Sequence, residues 1–155
     1  MDTENVVMIQ DKTELGRFRK EWTSVRKFQA KIHRHLNMSG AGGIGTMGST
    51  HELRNISHNL TLLFAFSVLE KVLKQMKDEG QFSARKDNLG TLMHSSKEMI
   101  PWSNFALVDQ AREDRNKITH EQETFERSRC WNYIDAIEAE LVLWNILSAP
   151  IPFKH

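Results

Sequence analysis

Apolar residues recur at every third or fourth position through four long stretches of this 155-residue chain, and no stretch alternates apolar with polar residues between turn signals. A period near 3.6 is that of an amphipathic helix, so the chain is predicted to be all-α. Leu15, Phe18, Trp22, Val25, Ile32 and Leu36, interrupted only at Gln29, predict a first helix from about Asp11 to Leu36. A second runs from Leu53 to Met76, with Ser49 or Thr50 as its cap and Gly80 as its stop. Its residues fall into two stripes: Leu53, Ile56, Leu60 and Leu63 leading into Ser67, Glu70 and Lys74, and Leu62, Phe66, Leu69 and Leu73 beside them. Leu89 to Ile100 predicts a short helix ended by Pro101, since a residue before proline is pushed out of the helical region. Trp102, Phe105, Leu107, Val108 and Ala111 open another helix that enters the charged stretch 111–123, and Cys130, Ile134, Ile137, Leu141 and Trp144 carry a last one to about Leu147. The expected architecture is a single domain over residues 1–155, an up-and-down bundle of four principal helices plus one short one. Five of the eight glycines fall in residues 37–50, which predicts a flexible loop there, and the prolines predict a short tail over 148–155.

Charge and cysteine content narrow the function classes. Twenty-one Lys and Arg against 20 Asp and Glu leave a formal +1, so bulk charge points neither to nucleic acid nor to a membrane surface. The first helix is a local exception, with eight basic residues between Lys12 and His35 against Glu14 and Glu21. A lone Cys130 excludes an internal disulfide and fits a reducing, cytoplasmic compartment. The N-terminus is acidic where a secretion signal would be basic, and the most apolar run, Leu60 to Leu69, is half of the ~20 residues a membrane span needs.

Several motifs fail on context. Gly43-x-Gly45-x-x-Gly48 matches the letters of a dinucleotide loop, and Gly43-x4-Gly48-Ser49-Thr50 those of a phosphate loop, but a helix precedes them where each needs a strand, and the phosphate-binding lysine is missing. The seven histidines show no metal-ligating spacing: His33 and His35 point to different helix faces, and His51 with His58 lacks a third ligand. No metal or other cofactor is therefore expected.

Arg115-Asn116-Lys117-Ile118-Thr119-His120 stands out, where a helix loses its apolar stripe. With ten arginines and seven histidines, Arg-x4-His arises by accident roughly 0.45 times in such a chain, whereas requiring asparagine after the arginine lowers that to roughly 0.03. Arg26-x6-His33 satisfies a looser spacing but lies in mid-helix with Lys27 in the asparagine position, and is read as a decoy.

Arg115-Asn116-x3-His120 resembles the Arg-x4-6-His signature of the HEPN superfamily, small helical bundles in which a polar residue commonly follows the arginine. Ser67 to Lys74 is similar to an apolar helix found in many members, and the resemblance spans roughly Thr50 to Leu147, as a minimal stand-alone domain. It implies a metal-independent endoribonuclease, of the kind found in toxin or phage-defence systems, whose arginine and histidine meet at a homodimer interface. An antitoxin or regulatory protein would be a partner. Some family toxins carry a tyrosine two residues after the histidine, modified by the cognate antitoxin; this chain has Gln122 there, which puts that neutralisation in doubt.

The residues suit such chemistry. Histidine transfers protons near neutral pH, and a guanidinium grips two phosphate oxygens. His120 is accordingly the candidate general acid or base, Arg115 the clamp on phosphate and transition state, and Asn116 the orienter of His120, four residues away on the same face. Glu70 is a supporting candidate that would pair with Arg115. Lys117, Arg112, Lys20 and Lys27 are candidate RNA-binding cations. Five helical residues turn 500°, leaving Arg115 and His120 about 140° apart, so their convergence needs a helix break or a second chain. The alternative is a non-catalytic dimerisation or partner-binding module, in which the last helix or Ile151-Pro152-Phe153 would matter more than His120.

Overall fold

The computed structural model describes residues 9–42 and 47–148. It is an all-α bundle of α1 (Lys12–Gly42), α2 (Met47–Asp78), α3 (Leu89–Ser96), α4 (Phe105–Glu121) and α5 (Arg127–Leu143), with no strand among the described residues. Four helices are long and α3 is short, as the periodicity predicts. α2 packs against all four others.

Packing separates the two stripes of α2. Leu62, Phe66, Leu69 and Leu73 are fully buried, together with Ala65, Val68, Val72 and Met76, whereas Ile56 and Leu60 are 48% and 50% exposed. Each buried Leu or Phe contributes about 1.5–3 kcal/mol, which makes α2 the helix around which the others assemble. The stretch Ile56–Asp78 is long and apolar enough to cross a membrane by composition. Its most apolar residues instead meet Phe18, Trp22 and Val25 of α1 and Ile134, Ile137 and Leu141 of α5 in one core. His58 is buried edge-on against Trp131 of α5, a packing histidine.

Several helix boundaries differ from the expected ones. The segment 37–50, expected as a loop, is helical at both ends, since α1 runs through Gly42 and α2 begins at Met47. Glycine costs a helix about 1 kcal/mol per residue, but extending a formed helix adds one hydrogen bond per residue without a new nucleus. α3 stops at Ser96, short of Pro101: the Ser96 hydroxyl donates to the Met93 carbonyl and accepts from the Trp102 indole, and the Ile100 N–H turns back to the Ser96 carbonyl. α5 ends at Leu143 rather than Leu147, because the chain turns through Asn145 in the left-handed region while the Ile146 N–H returns to the Leu141 carbonyl. Ser148 of the expected tail is described, and residues 149–155 lie outside the described part.

Distant carboxylates hold two helix starts. Glu79, just past α2, accepts from the N–H groups of Gln10 and Asp11 at 2.7 and 3.0 Å, ahead of α1. Glu140 of α5 accepts from Ser103 and Asn104 at 2.6 and 2.8 Å, ahead of α4. Both use the positive end of a helix, where orphan N–H groups favour an anion. Burial pushes the Glu140 carboxyl above its ordinary range despite its two N–H donors. Burial also acts against ionised Glu79, but the Gln10 N–H, the Gln75 amide and the Asp11 N–H together hold it below that range.

Candidate functional site

α4 carries the Arg115 cluster and is fixed at both ends. At its start Asn104 accepts from the Leu107 N–H, supported by Glu140. At its end Gln122 adopts a left-handed conformation, and the N–H groups of Gln122 and Glu123 both turn to the Lys117 carbonyl. The following segment is tied to α2 by Asn59, whose amide donates to the Phe125 carbonyl and accepts from the Phe125 N–H, both at 3.1 Å.

Between these ends Val108, Ala111 and Asp114 are buried. Asp114, 2% exposed, accepts from the Tyr133 hydroxyl at 2.5 Å and from the Gln110 amide at 3.3 Å, with the Arg129 guanidinium 3.7 Å away. Burial, reinforced by the hydrogen bond to Asp114, pushes the Tyr133 hydroxyl up to about 12, so it remains a donor at neutral pH. Asp114 thereby takes its partners from α4 and α5 without using its neighbour Arg115. This network was missed in the sequence, where its signal is a carboxylate falling in step with Val108 and Ala111.

Arg115 is half-buried and makes no ion pair among the described residues. Its Nη1 donates to Asn116 Oδ1 at 3.1 Å, and its Nε is buried with no hydrogen-bond partner among the described residues. A guanidinium has five N–H donors and is always charged. Without a carboxylate among the described residues, it keeps donors that could serve an anion.

His120 sits exposed in the last turn of α4. The helix is regular through Glu121, so the helix break that would bring His120 round to Arg115 is not present and the two remain about 140° apart. Asn116, expected to orient His120, is hydrogen-bonded to Arg115 instead, because its amide oxygen meets the nearest uncompensated cation. Glu70 is half-buried on α2 but makes no ion pair with Arg115, which corrects the expected pairing; its stripe turns toward solvent with Ile56 and Leu60. Arg112 is engaged by Asp109 at 2.8 Å and lies against Gly90 of α3. Lys117 is exposed on α4, and Lys20 and Lys27 are exposed on α1, a helix that packs mainly on α2. Among the described residues no three His, Cys, Asp or Glu side chains converge as metal ligands.

Compared with known proteins, the chain matches no family model, no curated protein and no solved structure.

Proposed function

We propose that this protein is a metal-independent endoribonuclease that uses Arg115, Asn116 and His120, and that it acts as a toxin or phage-defence effector. The observation that carries the proposal is the half-buried Arg115 guanidinium, which has no carboxylate partner among the described residues and whose Nη2 is left without a hydrogen bond there. A phosphate oxygen meets that Nη2, and the charge that builds on phosphorus during cleavage strengthens the contact. His120, in contact with solvent, is the proton-transfer group. Asn116 steadies the guanidinium. Arg115 and His120 diverge on one helix, so a reaction centre using both draws one of them from a second copy of the chain in a symmetric dimer.

In the reaction the 2′-hydroxyl gives up its proton as its oxygen attacks phosphorus. The bond to the 5′-oxygen breaks, and that oxygen is protonated as it leaves. The products are a 2′,3′-cyclic phosphate and a 5′-hydroxyl, with no water consumed and no metal required.

The test is cleavage of a mixed tRNA and mRNA pool in EDTA by wild type beside His120→Ala, with circular dichroism showing both folded. Cleavage by wild type alone, leaving cyclic-phosphate ends, is the expected result. Equal cleavage by both, or none by either at concentrations that support a dimer, overturns the proposal. The second outcome favours a helical interaction module, for which the exposed Ile56 and Leu60 on α2 speak.

A further inference from the structure

We propose that α1 carries a holding surface for single-stranded RNA, a cationic ridge of Lys20, Lys27, Lys31 and Arg34 edged by Phe28. This rests on the reading of the protein as one that acts on RNA, and extends it to a helix that does not bear the Arg115 cluster.

The four cations are exposed and make no ion pair with any described residue. They span 15 residues, about 21 Å of helix, and their spacings of seven, four and three keep them within an arc of about 60°. The remaining charges of α1 are mostly engaged elsewhere. Arg17 pairs with Glu14, Glu21 pairs with Lys71 of α2, Arg19 donates to the Ile146 carbonyl, and Arg26 is buried among acids. Both acidic residues of α1 are thus neutralised off the ridge, and the chain's near-zero net charge conceals a continuous positive line.

Phe28 gives the ridge its chemical direction. It is 41% exposed, follows Lys27 directly and is three residues from Lys31 on the helix surface. Cations that track a phosphate backbone beside an aromatic face that accepts a base are the two elements of single-strand recognition. An anionic membrane would need a broad apolar face alongside the cations. The apolar face of α1, from Leu15 through Phe18, Trp22 and Val25 to Ile32, is buried in the core.

The experiment uses the full chain carrying His120→Ala, so that RNA survives, and follows the anisotropy of a labelled oligouridine 20-mer across a salt series. Each phosphate contact on a single strand contributes about −0.7 to the slope of log K against log salt, so four contacts give a slope of about −3. Adding Lys27→Gln with Lys31→Gln is expected to weaken binding at least tenfold and flatten the slope by about 1.4. Phe28→Ser is expected to weaken binding about fivefold or more with the slope unchanged. Lys86→Gln, an exposed cation off the ridge, is expected to change neither.

Wild-type affinity and slope in the double variant, absence of oligouridine binding, or binding to phosphatidylserine vesicles in its place each overturn the proposal. Metal-free cleavage by the wild-type protein without any ridge dependence removes the ridge alone, whereas ridge-dependent binding without cleavage removes the nuclease alone.

Discussion

Arg26 and Arg115 both precede a histidine within the same loose spacing, and the fold treats them oppositely. Arg26 is 8% exposed, and each of its three guanidinium nitrogens has a partner: Nε on Glu138 at 2.8 Å, Nη1 on Gln29 at 2.7 Å and Nη2 on Asp135 at 2.8 Å. Glu138 also accepts from the Trp22 indole at 2.6 Å, which locks α1 to α5. Among the described residues Arg115 has one side-chain hydrogen bond, to its own neighbour, and a buried Nε without an acceptor. The difference teaches that a guanidinium bonded at each of its nitrogens is a structural joint, whereas one held in place with a nitrogen left over keeps a donor to offer.

The largest effect expected from breaking this comparison is on stability at the Arg26 end. Arg26→Ala leaves Glu138 buried without its cation and is expected to cost about 3–5 kcal/mol, read as a large fall in the urea midpoint at unchanged m-value. Arg115→Ala is expected to do the reverse, leaving stability within about 1 kcal/mol of wild type while RNA cleavage falls about 100-fold or more. Arg115→Lys is expected not to restore cleavage, since an ammonium lacks the bidentate fork. Equal loss of stability in the Arg26 and Arg115 variants would erase the distinction.

Tyr133→Phe sharpens the comparison from the side of Asp114. It removes a donor from a buried carboxylate and is expected to cost about 1–3 kcal/mol in thermal or denaturant unfolding. Tyr133 is the only tyrosine in the chain, so its ionisation is directly visible in ultraviolet absorbance, with a midpoint expected at about 12. The folded pKa lies above the unfolded value of 10.0, so this contribution to stability is complete below pH 10 and is lost as pH rises toward 12. The smallest expected effect is at Glu79. Its folded pKa lies below the unfolded value of 4.5, so its contribution is present above that pH and lost as pH falls through the lowered folded value. Glu79→Gln is expected to cost about 1 kcal/mol at neutral pH and to flatten acid unfolding, measured by circular dichroism.

Much of the fold was legible because helical periodicity is local. The spacing from Leu15 to Ile32 and from Cys130 to Trp144 marks the faces that the structure buries. Helix ends were less legible, since their stops come from partners outside the pattern, as when Trp102 turns back on Ser96 at the end of α3. The carboxylates that hold the starts of α1 and α4 lie 69 and 37 residues from their N–H donors, beyond any local signal. In the candidate site the order Arg, Asn, His was visible as a motif. The bond from Arg115 to Asn116 was not, because helical spacing pairs Asn116 with His120 and cannot register where a cation lacks an acid.

By itself the sequence determined that the chain is all-α, with four long helices and one short one, because the interval between apolar residues follows from backbone geometry alone. Only the tertiary structure decided which stripe of α2 is core, which arginine is a joint and which cations on α1 stand clear. Those outcomes depend on what each side chain meets across the bundle. A guanidinium 112 residues from its carboxylate finds it only when the fold closes.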